Sequence, residues 1–239
     1  EAVDSLKGRY LTAGDVGTLK EDLIQCSKVT KYVYGINVET SAPTSKGIFN
    51  AIKTTYNFIS GSFDLKGMHV AISGVGKVGG KLAILLFNAG VKITVASINQ
   101  DTINQLKKKI SLVETNPENL FKTKCDIISP CALGKAINST SKNQLRCRAI
   151  VGAANNQLDD PQIADWLLKN KIIYSPDYLV NSGGVIAIAS EINGTEDSLQ
   201  QQLDKISDRL TPVLIESKKN NESTDTVSRR IAWDRVNAS

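Results

Sequence analysis

The run Gly74-Val75-Gly76-Lys77-Val78-Gly79 constrains this 239-residue chain more than any other feature. A G-x-G-x-x-G spacing alone is weak evidence, but its setting here is informative. It follows His69–Ser73, a short apolar run that reads as a buried strand, and it opens a stretch from Lys77 to Asn88 in which Val78, Leu82, Leu85 and Leu86 recur at helical spacing. Gly90 ends that helix, and Val91–Ile98 reads as a second strand. In such a unit each glycine has its own task. Gly74 permits the tight turn, Gly76 lets a pyrophosphate approach the backbone, and Gly79 lets the helix pack closely on the strand. The free N–H groups of the helix N-terminus then face the phosphate charge. The unit predicts a Rossmann-type dinucleotide site with Gly74, Gly76, Lys77 and Val78 at the cofactor.

The pattern continues toward the C-terminus. A helix is expected over Asp101–Ile110, with an acid at its start and lysines in its last turn, as the helix dipole favours. Short apolar strands are expected at Cys125–Ser129, Ala149–Gly152 and Ile172–Tyr174, with a helix over Asp160–Lys169 between the last two. Strands alternating with helices imply an α/β fold, a doubly wound parallel sheet covered on both faces. Before Gly67, Thr18–Cys26 and Thr44–Ile59 read as helices and no strand is clear. After Asn181 a helix at Gly184–Ile192 precedes a long amphipathic one marked by Leu199, Leu203, Ile206, Leu210 and Leu214, which Pro212 is expected to kink. A last helix is expected over Val227–Val236.

Ligands of open α/β sheets bind beyond the carboxyl ends of the strands. The residues there are the glycine loop, Ser97 and Ile98, Pro130-Cys131-Ala132, Gly152 to Asn156, and Asp177 to Gly184. An acid about 20 positions after the motif would bind the adenosine ribose, and an arginine nearby would hold a 2′-phosphate. Ser97 stands at the first position and no arginine at the second, so NAD is favoured over NADP on narrow grounds and both stay open. The paired amides Asn155 and Asn156 suit either a ligand or a turn.

Other features narrow the class. The net charge of +5 comes from scattered basic residues, with clusters only at Lys107–Lys109 and Lys218-Lys219, and aromatic residues make up just 5%. With nothing to stack bases, these read as solvated helix faces, and no nucleic-acid partner is expected. No apolar run approaches a membrane span and the first ten residues are polar and charged, so a cytoplasmic protein without a membrane partner is expected. Cys26, Cys125, Cys131 and Cys147 form no C-x-x-C pair and read as reduced structural thiols. His69, the only histidine, lacks partners at metal-ligand spacing and reads as structural, so no metal is expected. The chain opens at Glu1 and its single methionine is Met68, from which a further N-terminal segment is expected.

Taken in order, Gly8 to Thr18, the glycine motif, Pro130 to Gly134, Gly152 to Leu158 and Ser175–Tyr178 running into Asn181–Ile186 resemble the leucine, phenylalanine and valine dehydrogenases related to glutamate dehydrogenase, the leucine enzymes most. The resemblance implies NAD-linked, reversible oxidative deamination of a hydrophobic L-amino acid to its 2-oxo acid and ammonia, in a homo-oligomer. It implies that Asp15 is the catalytic aspartate, that Thr44 bonds the nicotinamide amide, and that Ser97, Ile98, Cys131, Ala132, Ala154 and Asn155 join the motif residues at the cofactor. Ala13, Asn181, Val185 and Ile188 match substrate positions, and an alanine, valine and isoleucine lining suits a branched aliphatic side chain. Residues 1–60 would be the remnant of a substrate domain, 61–192 the dinucleotide domain, and 193–239 helices packing back between them.

The departures are specific. Position 97 is typically aspartate in the family, Gly14 is often glutamate, Ser182 is usually alanine, and the loop before Thr44 is shortened to Val38-Glu39-Thr40-Ser41. The family's two lysines, for the substrate carboxylate and for general base catalysis, lie in a segment that nothing in residues 1–239 matches. A catalytically silent, nucleotide-binding relative is therefore the alternative reading, and a basic nucleic-acid-binding domain has little beyond net charge behind it.

Overall fold

A computed structural model describes residues 1–15 and 17–238. The chain opens with α1 (Ala2–Ser5), β1 (Thr12–Ala13), α2 (Lys20–Ser27) and β2 (Val33–Tyr34). Helix α3 (Ser41–Ser60) leads into β3 (His69–Ser73), α4 (Lys77–Asn88), β4 (Lys92–Ala96), α5 (Gln100–Lys107), β5 (Val113–Glu114) and α6 (Pro117–Leu120). Then come β6 (Ile127–Pro130), β7 (Ala149–Ile150), α7 (Gln162–Lys169) and β8 (Ile173–Tyr174). Helices α8 (Asp177–Val180), α9 (Gly183–Asn193), α10 (Leu199–Asn220) and α11 (Thr224–Asn237) complete the chain.

Strands β3 to β8 form one parallel sheet in the order β5-β4-β3-β6-β7-β8. Counted within this sheet the order is 3-2-1-4-5-6, the doubly wound arrangement whose strand order reverses between its first and fourth strands, here β3 and β6. A parallel strand in the middle of such a sheet is buried on both faces, which explains the unbroken apolar run Val70-Ala71-Ile72, none of it exposed. Alternate residues part company. Val70 and Ile72 join a core with Ile48 and Ile52 of α3, Leu82 and Leu86 of α4, and Ile206 and Leu210 of α10. Ala71 turns to the other face, beside Leu120, Ile128 and Cys125. Burial pushes the thiols of Cys125 and Cys147 up to about 12, so both are neutral packing groups.

The structure corrects the sequence-based expectations at strands β1, β2 and β5 and at the ends of β4 and α5. Two strands precede Gly67: β1 and β2 pair in parallel, Thr12 with Val33 and Ala13 with Tyr34. At two residues each they are too short for an alternating pattern to register. Strand β5 was also unforeseen, since Val113 and Glu114 are both exposed on the sheet edge. Helix α10 is assigned as one helix from Leu199 to Asn220, with Pro212 inside it. Proline removes one N–H and so orphans the Asp208 carbonyl, but Pro212 and Asp208 both lie on the exposed face, where water can take that bond. Strand β4 and helix α5 are also shorter than the sequence suggested, ending at Ala96 and Lys107.

Helix α10 fastens the C-terminal region to the core by Leu203, Ile206, Leu210 and Leu214, each at most 3% exposed. Asn50 of α3 adds a hydrogen bond from its amide to the Asp204 carboxylate, 2.9 Å. Leu210→Ala should leave a cavity and cost roughly 2–5 kcal/mol. Urea unfolding should show this as a lower midpoint at unchanged slope; a loss below about 1 kcal/mol would mean that α10 packs more loosely than described.

Candidate cofactor and substrate site

The glycine loop lies between two strand ends that hold it from both sides. The Gly74 N–H donates to the Ala96 carbonyl of β4 at 2.7 Å, and the Cys131 N–H, just past β6, donates to the Ser73 carbonyl at 2.7 Å. Gly74 itself has φ +90°, and a Cβ there would stand 2.9 Å from the Ala132 nitrogen. At Gly79 a Cβ would lie 2.0 Å from the Gly74 carbonyl oxygen, so only glycine lets α4 sit on the loop. Gly76 is different: nothing lies within 4 Å of a Cβ built on it. That open space faces the N-terminus of α4, whose first N–H groups have no partner within the helix. A pyrophosphate fits this cradle because it is anionic and needs backbone donors at close range. Lys77 is exposed beside it, and the Val78 carbonyl accepts from the buried Ser45 hydroxyl at 2.8 Å, which ties α3 to α4.

Along the switch point the remaining strand-end residues separate by role. Ala132 is exposed and Cys131 partly so; burial of the Cys131 thiol raises its pKa and keeps it neutral. Ala154 is 5% exposed, its N–H donates to the Pro130 carbonyl at 3.0 Å, and its carbonyl accepts from the Gln157 amide at 3.0 Å. It therefore offers a ligand no uncommitted backbone donor. Asn155 and Asn156, equivalent in sequence, differ in space. Asn156 takes the left-handed conformation, φ +52°, and makes the turn, whereas the Asn155 carbonyl oxygen accepts from the Asn181 amide. Asn181 also donates to the Ala153 carbonyl at 3.3 Å. Ser97 and Ile98 stand at the other end, past β4, with Ile98 98% exposed.

The substrate-side residues meet at the ends of β1 and β2. A Cβ on Gly35, just past β2, would lie 3.7 Å from the Ile188 side chain and 4.0 Å from the Ala13 Cβ. Ala13, Gly35 and Ile188 thus form one apolar wall, and the Gly35 N–H donates to the Glu191 carboxylate on α9 at 2.8 Å. Val185, one turn earlier on α9, is 71% exposed. Asp15 follows Ala13 by two residues, its N–H donating to the Thr18 hydroxyl at 3.2 Å and its carbonyl accepting from the Thr18 N–H at 2.9 Å. Thr44, in the first turn of α3, donates its hydroxyl to the Thr40 carbonyl at 2.8 Å, which leaves its oxygen lone pairs to accept from an amide. The N-termini of α3 and α9 touch because Gly183 has no side chain: a Cβ there would lie 2.3 Å from the Pro43 carbonyl oxygen.

Sequence reasoning missed Gly35, Ser45, Glu191 and Glu39. The first three carry no pattern, since their partners lie far along the chain. Glu39 did leave a signal, an acid just before a helix start. Its carboxylate accepts from the Ser41 N–H at 3.0 Å, the Ala42 N–H at 2.9 Å and the Ser41 hydroxyl, and it pairs with Lys81 of α4 at 3.7 Å. Burial alone would raise its pKa, but the Ser41 and Ala42 hydrogen bonds and the Lys81 charge outweigh that and hold it below the ordinary 4.5.

Two predictions follow from this geometry. Gly79→Ala should cost roughly 1–3 kcal/mol of stability through the clash with Gly74, whereas Gly76→Ala should leave the unfolding midpoint nearly unchanged yet weaken dinucleotide binding at least about tenfold. Equal loss of stability in both would contradict the assignment of Gly76 to a ligand. For Glu39 a lowered pKa means stability that is present above the unfolded value and lost as pH falls through the folded one. Glu39→Gln should therefore lower stability by at most about 1 kcal/mol at neutral pH, because the carboxylate is largely exposed. The gap should close as pH drops below the ordinary 4.5; a pH-independent difference would remove the charge from the explanation.

Residues 94–237 match the Glutamate/Leucine/Phenylalanine/Valine dehydrogenase family. The chain is 38% identical to phenylalanine dehydrogenase of Thermoactinomyces intermedius and 34% identical to leucine dehydrogenase of Geobacillus stearothermophilus. Each match covers 98% of this chain and 66% of the relative. The crystal structure of L-tryptophan dehydrogenase from Nostoc punctiforme superposes with a TM-score of 0.90 at 35% identity, covering 99% of this chain and 70% of that one. The leucine enzymes do not stand apart from the others in identity. By the family match and these likenesses over nearly its whole length, the chain belongs to the glutamate/leucine/phenylalanine/valine dehydrogenase family.

Proposed function

We propose that the protein carries out NAD-linked, reversible oxidative deamination of a hydrophobic, leucine-like L-amino acid, giving the 2-oxo acid and ammonia. The observation that carries this reading is the apolar wall of Ala13, Gly35 and Ile188 beside the loop that presents Asp15. The side chains of Ala13 and Ile188 suit an aliphatic substrate side chain, the Glu191 carboxylate being engaged by the Gly35 N–H, and a carboxylate two residues along the chain from Ala13 suits the substrate amino group. The bound nicotinamide would supply the acceptor for the α-carbon's hydrogen and electron pair. The chain's own residues then bind and orient. Asp15 holds the amino group and takes up or returns its proton, the Thr44 oxygen accepts from the carboxamide, and Asn181, braced by Asn155, meets the substrate. The family likeness further supports a homo-oligomeric, cytoplasmic enzyme.

The test is NADH oxidation by the full-length protein with 4-methyl-2-oxopentanoate and ammonia. Asp15→Asn should lower turnover by roughly 10²–10⁴-fold while dinucleotide affinity stays the same. Absence of turnover with every branched or aromatic 2-oxo acid, alongside intact dinucleotide binding, would favour a catalytically silent relative. Loss of cofactor binding in Asp15→Asn would contradict the role given to that residue.

A further inference from the structure

The edge of the sheet at β8 borders a cavity of about 380 Å³ that holds none of the residues assigned to cofactor or substrate. Phe58 near the end of α3, Leu168 of α7, Ile172 beside β8 and Leu214 of α10 make its apolar lining. Thr44 and Phe58 lie toward opposite ends of α3, which at about 1.5 Å per residue puts them about 21 Å apart. The cavity is therefore separate from the place proposed for nicotinamide and substrate.

The charged groups of the lining are all of one sign. Lys171 and Lys218 reach the cavity, no carboxylate among the described residues lines it, and neither ammonium has an ion pair among those residues. Lys218 instead lies over the Phe58 ring, 5.7 Å from its centroid, so one cation is held against the apolar lining. The acids nearest in sequence to Lys218, Glu216 and Glu222, are both taken by Arg230, at 2.6 and 2.7 Å. Two hydroxyls also line the cavity, and both have spent their hydrogens on backbone carbonyls: Ser217 donates to Glu222 at 2.6 Å, and Thr224 donates to Tyr174. Such a lining suits an apolar body that ends in an anion. An amino acid fits it badly, because its ammonium would meet two like charges and no acceptor of its own. A nucleotide would press polar groups against apolar side chains without hydrogen bonds.

We propose that this cavity is a second ligand site, for a hydrophobic monocarboxylate without an amino group, its apolar chain against Phe58, Leu168, Ile172 and Leu214 and its carboxylate on Lys171 and Lys218. The test is calorimetric titration of the full-length protein with octanoate, hexanoate and octylammonium. Octanoate should bind, hexanoate should bind at least about tenfold more weakly because two fewer methylenes are buried, and octylammonium should not bind. Lys171→Met combined with Lys218→Met keeps the apolar stems and removes both charges, so it should weaken octanoate at least about tenfold while dinucleotide affinity stays the same. Leu168→Trp, which fills the cavity, should abolish octanoate binding. Should that variant not fold, the lysine pair carries the test, since both side chains are exposed. Equal octanoate binding by the lysine double variant, or octylammonium bound as well as octanoate, places the ligand elsewhere and overturns the proposal. Absence of octanoate binding by the full-length protein overturns it too, including where a further segment or a second copy covers the cavity. Dinucleotide binding and turnover are read separately, so none of these failures touches the proposed function.

Discussion

The site depends on one backbone contact, the crossing of α4 over the glycine loop at Gly79 and Gly74. No side chain fits there, since a Cβ on Gly79 would lie 2.0 Å from the Gly74 oxygen. The contact sets where the N-terminus of α4 points, and with it the direction of the partnerless N–H groups that face an anion. Other elements take their positions from α4. The Ser45 hydroxyl joins α3 to the Val78 carbonyl, and the N-terminus of α3 in turn abuts Gly183 of α9. A single close approach therefore propagates through three helices to the residues proposed to hold nicotinamide and substrate.

How legible each part was in the sequence follows from how local its cause is. Strand β3 and helix α4 have the bounds that periodicity and the flanking glycines suggest, because a strand buried on both faces must be apolar throughout and its helix must show a 3.6-residue stripe. Strands β1, β2 and β5 were not legible. Two-residue strands are defined by their partner's backbone, and on the exposed edge at Val113 no hydrophobic demand acts on the sequence.

The candidate site shows the same division. The glycine motif and strand ends were legible, being runs of neighbours with a shared purpose. Asn155 and Asn156 could not be told apart, since what separates them is a left-handed backbone at one and a long-range amide bond at the other. The Ala154 N–H is spent on the Pro130 carbonyl, a long-range pairing that no local pattern reveals. The apolar wall was half visible: Ala13 and Ile188 could be named from family likeness, but Gly35, which lies between them, and Glu191, which receives its N–H, are separated by 156 residues.

The two halves of the site are consequently held by different kinds of force. The cofactor half is backbone built, with the loop bonded to β4 and β6 and the sheet buried beneath it, so moving it means breaking parallel ladders inside a core of fully buried side chains. The half proposed to meet substrate hangs from two-residue strands and from the Gly35 to Glu191 hydrogen bond, with Ala13 and Ile188 on either side of Gly35. Local opening costs least where buried contacts are few, and Ala13 and Asp15 lie outside the buried core. A dehydrogenase gains from this inequality. The glycine loop is thereby fixed by the sheet, while the residues proposed to meet the amino acid rest on the shorter pairing of β1 with β2.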